Sequence, residues 1–174
     1  MNSTLKIFLD ILRRQAGPED LPASPRLLWG AFVLLLLLQA GLGTWLVPED
    51  RSILPQAIVS GLASLLWLAL VLRLFGRPER FVQTASAMLG IACLFAPISI
   101  PVIAQVRPAV GEPANFSPLA ALAFAISLYL IYINGRILRA AIERPLFQCI
   151  VLFLLGELVV FSLLLTLGFG DAAS

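Results

Sequence analysis

The chain has 174 residues, 60% hydrophobic and only 13% charged, with a mean hydropathy of +0.97. A soluble domain carries about 25% charged residues, so the composition excludes an ordinary water-soluble globule and points to an integral membrane protein. Net charge is only +2 and histidine is absent, which excludes imidazole metal ligands and histidine general bases.

Residues 3–14 read STLKIFLDILRR. Ser3 or Thr4 can cap a helix, and Leu5, Phe8, Leu9 and Leu12 recur at i, i+3, i+4 and i+7, the spacing of one helix face. Ile7 and Ile11 widen that stripe, while Lys6, Asp10, Arg13 and Arg14 lie opposite. The segment is too short to cross a bilayer. It is expected to lie in the interface as a cytoplasmic amphipathic helix, with packing on the protein's own cytoplasmic face as the alternative. Asp10 interrupts the apolar run and no small-residue cleavage site follows, which argues against a secretory signal.

Gly17-Pro18 ends this helix, and a linker leads to Ser24-Pro25, a cap residue with proline in the first turn. Five apolar runs follow, at about 27–47, 55–75, 81–104, 118–139 and 146–168. Each suffices to cross the hydrocarbon core, because about 20 residues at 1.5 Å apiece span roughly 30 Å. Trp29 and Trp45 stand near the two ends of the first run, where indole rings favour the interface. Pro48 closes that run and Gly76 stops the second. The turn at 76–80 is too short to reach across a membrane, so the second and third runs form an antiparallel hairpin. Pro145 separates the fourth run from the fifth. The predicted fold is therefore all-α, a polytopic bundle of five transmembrane helices. It comprises a cytoplasmic helix and linker at 1–26, a five-span domain at 27–169 and a tail at 170–174.

Of the 12 basic residues, only Arg51 and Arg107 fall on the far side of this topology. The others, including the clusters Arg73, Arg77, Arg80 and Arg136, Arg139, Arg144, fall on the side of the amino terminus. Short loops rich in Lys and Arg stay cytoplasmic, so the amino terminus is expected inside and the carboxyl terminus outside. The arginine clusters are candidate contacts for anionic lipid head groups, with Glu79 and Glu143 available for local pairing. Topology alone is the simpler account of them.

Glu157 is the sharpest feature, a single carboxylate near the middle of the last run. An ionised group at the bilayer centre costs at least ~2.5–3.5 kcal/mol, and such residues mark functional sites by default. Counted along the runs, Gln39, Ser64, Ser127 and Tyr129 lie at comparable depth, and no lysine or arginine does. A proton-carrying or substrate-binding carboxylate is the functional reading. A protonated glutamate that joins helices, or meets a partner protein, is the structural one.

In the third run, Ser86, Gly90, Cys93, Pro97 and Pro101 share one helix face. The two prolines free the carbonyls of Cys93 and Pro97 and form a candidate hinge. Ser60 and Ser64, like Ala121 and Ala125, have the spacing of a packing surface. Cys93 and Cys149 fall at different depths and are read as small apolar packing residues, not as a disulfide. Asn115-Phe116-Ser117 is formally a glycosylation acceptor, but it adjoins the next apolar run. No phosphate-binding glycine loop, nucleophile elbow or metal-ligand cluster occurs, so no cofactor, metal or nucleic-acid partner is expected.

The stretches GPEDLPASP at 17–25, RFVQTASAMLG at 80–90 and GRILRAAIERP at 135–145, together with five spans and very short loops, resemble the YIP-type (Ypt-interacting protein) membrane family. The chain is similar also to small inner-membrane proteins of proteobacteria. The resemblance implies a role exercised through partner binding, as in the membrane trafficking of eukaryotic relatives, and it transfers no functional residues. The leading expectation is a non-enzymatic accessory or scaffold subunit of a bacterial inner membrane, acting through lipids, a membrane-protein partner or a second copy of itself. A small transporter or proton-coupled channel using Glu157 is the alternative.

Overall fold

A computed structural model describes residues 3–13, 15–46, 53–106 and 117–169. Arg14, Arg51, Arg107, Asn115 and the tail after residue 169 lie outside the described residues, as do the side chains of Leu5 and Trp45. The described residues form six α-helices and two short 3-10 turns, without a strand. The helices are α1 (Ser3–Leu12), α2 (Pro25–Leu46), α3 (Ile53–Leu74), α4 (Phe81–Val106), α5 (Pro118–Ile142) and α6 (Leu146–Thr166). Helices α2 to α6 are each long and apolar enough to cross a membrane. Large apolar side chains such as Leu37, Leu66, Phe124, Phe147 and Phe161 cover their outer surface. A surface this apolar is matched by hydrocarbon and not by water, and the protein is integral to a membrane.

Local chemistry sets the helix ends. Ser117 accepts a hydrogen bond from the Ala120 amide at 3.1 Å, and Pro118 opens α5 with a fixed φ and no orphan donor. Gly76, at φ +70, turns the chain out of α3, a conformation that glycine adopts without steric cost. Glu143 ends α5 in the same left-handed region, at φ 56, despite carrying a side chain. Two arginines hold it there. Arg77 and Arg80 bind its carboxylate at 2.9 and 2.8 Å, and Arg80 also donates to the carbonyls of Ala140 and Ala141.

The five long helices close into a ring in the order α2, α4, α5, α6, α3. Loop length predicts a hairpin of α3 and α4, and the turn between them is indeed tight. Beyond it the two helices hardly touch, because α2 packs against both, and most extensively against α4. Small residues of α4 permit that approach: Ala85 is fully buried, and the Cys93 thiol donates to the Ala31 carbonyl of α2 at 3.3 Å. The densest core lies toward the arginine-bearing end, where Leu28, Phe32, Leu68, Leu72, Leu89 and Leu138 meet. Toward the other end, buried apolar side chains thin out to Ala57, Ala96 and Val160. Helix α4 runs through Pro97 and Pro101 as one helix, with the Ser99 hydroxyl donating to the Phe95 carbonyl at 2.9 Å.

Helix α1 lies on the outside of the ring, with its apolar stripe set on α4 and α5. Phe8 and Ile11 are buried in a second cluster with Ala87, Ile91, Ile133 and Ile137. Gly90 makes this seat: a side chain there would overlap the Phe8 ring. The expected small-residue face of α4 is thus divided between two partners, Gly90 under α1 and Cys93 under α2. Gly90→Ala should destabilise the protein by about 1 kcal/mol, the low end for overpacking, and speed trypsin cleavage at the exposed Arg13. Phe8→Leu in the same chain should restore both the melting temperature in detergent and the cleavage rate.

Candidate site around Glu157

Residues from all five ring helices line a central cleft of about 250 Å³. Its polar groups are Gln39 of α2, Ser60 and Ser64 of α3, Asn134 of α5 and Glu157 of α6. Two of these spend a donor on their own helix: Ser60 on the Ala57 carbonyl at 3.2 Å, and Asn134 on the Leu130 carbonyl at 2.9 Å. Their side-chain oxygens accept no hydrogen bond among the described residues. Gln39, Ser64 and Glu157 make no side-chain hydrogen bond among the described residues. Glu157 is exposed where α6 meets α3, and no lysine or arginine lines the cleft.

The neighbouring residues fix where Glu157 stands. Trp67 of α3 donates its indole N–H to the Leu152 carbonyl of α6 at 3.0 Å. The pyrrole side of the indole rests against Gly156, where any side chain would collide with it. This contact locks α3 to α6 one residue from the carboxylate. A smaller hollow of about 50 Å³ lies beside Trp67 and shares Ser64 and Glu157 with the cleft. Such an arrangement can hold a proton, a small cation, or a hydrogen-bond donor brought by another molecule. No group of three or more acidic or cysteine side chains is placed to hold a metal among the described residues.

Depth counting therefore selected Gln39 and Ser64, which do share the cleft with Glu157. The other two candidates are elsewhere. Tyr129 faces outward against α1, its hydroxyl donating to the Leu12 carbonyl at 3.2 Å and its ring 5.7 Å from that of Phe95. Ser127 donates to the Ala123 carbonyl of its own helix. Neither side chain lines the cleft. Asn134 was missed because it sits beside the basic cluster in sequence. Trp67 was missed too, although a tryptophan well inside an apolar run is itself unusual.

The arginines gather at one end of the ring. Arg77 and Arg80 are engaged with Glu143, Arg144 lies 5.5 Å from the ring centre of Phe75, and Arg73 is exposed. Glu79 is exposed, and Cys93 and Cys149 are free thiols. No family model, curated protein or solved structure matches the chain.

Proposed function

We propose that this protein is a non-enzymatic accessory subunit of a bacterial inner membrane, and that its working group is Glu157. The amino terminus faces the cytoplasm in this reading, supported by the gathering of Arg73, Arg77, Arg80, Arg136, Arg139 and Arg144 at one end of the ring. One observation carries the proposal. Glu157, Gln39 and Ser64 line one cleft, and none of their side chains has a hydrogen-bond partner among the described residues. Polar groups at membrane depth seek a partner on a neighbouring helix, each such bond contributing ~0.6–2 kcal/mol. A second membrane protein that brings a donor or a cation to that depth satisfies all three.

The test is purification of the full chain in mild detergent with identification of whatever accompanies it. A stoichiometric membrane protein is expected, retained by Glu157→Gln and lost from Glu157→Leu, since only the leucine cannot hydrogen-bond. Recovery of the chain with lipid alone would overturn the proposal.

A proton-coupled carrier is the second reading, favoured because the cleft links Glu157 to Asn134 on the neighbouring helix α5 and to Gln39 on α2. It makes the reverse prediction for the amide. Glu157→Gln would abolish flux in proteoliposomes while the melting temperature stayed unchanged, because an amide cannot carry the proton.

A further inference from the structure

Beyond the Glu157 cleft, the arginine-bearing end holds a second built feature. A depression of about 800 Å³ lies at the junction of α5 and α6, lined by Arg136, Arg139, Glu143, Arg144 and Pro145. Its one acid is already satisfied, because Arg77 and Arg80 both bind the Glu143 carboxylate. Arg136, Arg139 and Arg144 therefore border the space without an ion pair among the described residues.

Two further features favour an anion there. Arg136, which stands between this depression and a second hollow, buries its Nη1 with no hydrogen-bond acceptor among the described residues, and a buried charged donor left unmatched is costly. Helix α6 begins at Pro145 with no side-chain cap, so its first amides and the positive end of its dipole border the same space. The carbonyl end of α5 would oppose an anion, but Arg80 covers the Ala140 and Ala141 carbonyls. Glu19 and Asp20 lie on the other side of Arg136, across a separate hollow. Asp20 is bound to the Gly17 amide at 2.9 Å, and neither acid forms an ion pair with Arg136. Arg144 is steadied by its position over Phe75.

We propose that Arg136, Arg139 and Arg144 form a phosphate-binding site that holds the head group of an anionic phospholipid. Guanidinium groups match phosphate oxygens in pairs. The site stands at the ends of two apolar helices, the level at which lipid head groups lie. It is narrower than the six-arginine surface read from sequence: Arg77 and Arg80 belong to the fold, and Arg73 lies outside the depression.

The test measures stabilisation of the full chain in neutral detergent on titration with short-chain phosphatidylglycerol, phosphatidylcholine or inorganic phosphate. Saturable stabilisation by phosphatidylglycerol and little by phosphatidylcholine is expected. Arg139→Gln with Arg144→Gln, both at exposed positions that should not disturb folding, should weaken it about twenty-five-fold, the product of two roughly fivefold losses. Arg73→Gln should leave it unchanged. Saturable binding of inorganic phosphate at the same arginines would support the anion site and assign it to a soluble phosphate. Equal weakening by Arg73→Gln, or no weakening in the double variant, would overturn the proposal in favour of diffuse surface charge. The Glu157 variants should bind phosphatidylglycerol as the parent does, so this result stands apart from the partner experiment.

Discussion

Arg80→Ala should be the most damaging single change at a polar residue, lowering stability by about 2–3 kcal/mol. One guanidinium reaches the Ala140 carbonyl at 2.8 Å, the Ala141 carbonyl at 3.1 Å and the Glu143 carboxylate at 2.8 Å. It joins the start of α4 to the end of α5. Hydrogen bonds from a charged donor contribute about 1.5–3 kcal/mol, whereas an ion pair in contact with water contributes at most ~1 kcal/mol. The Arg80 and Glu143 side chains are 34% and 54% exposed, so the carbonyls carry most of the effect. Chemical unfolding in detergent should show this as a large loss in Arg80→Ala, a small one in Glu143→Gln and weak coupling between them. Arg80→Lys should recover only part, because an ammonium cannot fork across two carbonyls and a carboxylate. A coupling equal to the whole loss would mean that the ion pair, not the helix end, is what Arg80 serves.

Gly156→Leu should separate α3 from α6. The Trp67 indole rests where a side chain would stand, so the leucine must expel a large ring and break its bond to the Leu152 carbonyl. Overpacking alone costs about 1–3 kcal/mol, and a lost interhelical hydrogen bond adds ~0.6–1.7 kcal/mol. The expected result is a total near 3 kcal/mol and a marked rise in quenching of Trp67 by a brominated detergent. Trp67→Leu combined with Gly156→Leu should recover part of the loss by removing the collision. Failure of that pair to improve on the single change would show that the indole N–H, not the fit of ring on glycine, holds the two helices.

Five helices were legible in the sequence because hydropathy along a run is a local quantity, and each run is uniformly apolar. That uniformity also hid how the helices are arranged. With apolar residues on every face, no stripe says which side meets which neighbour, so α2 beside α4 and α3 beside α6 could not be read. Counting residues gives depth without direction. It grouped Gln39, Ser64 and Tyr129 with Glu157, and the ring brings the first two to Glu157 while turning Tyr129 toward α1. Helix α1 was legible as amphipathic, but its seat depends on the missing side chain of Gly90, which carries no signal of its own until Phe8 is placed over it. The arginine clusters were plain in sequence. Their division into fold-holding Arg77 and Arg80 and unengaged Arg136 and Arg139 depends on the left-handed turn at Glu143, which a glutamate does not announce.

The order of the ring has a consequence for how the protein is made. A ribosome releases α3 well before α6, yet α6 is the helix that covers Trp67. From its own synthesis until α6 arrives, α3 leaves the insertion machinery with an indole N–H unsatisfied and one flank open to lipid. The barrel of helices behaves like a cask whose last stave locks the second. Until that stave is driven home, a polar donor of α3 stands unmatched at membrane depth.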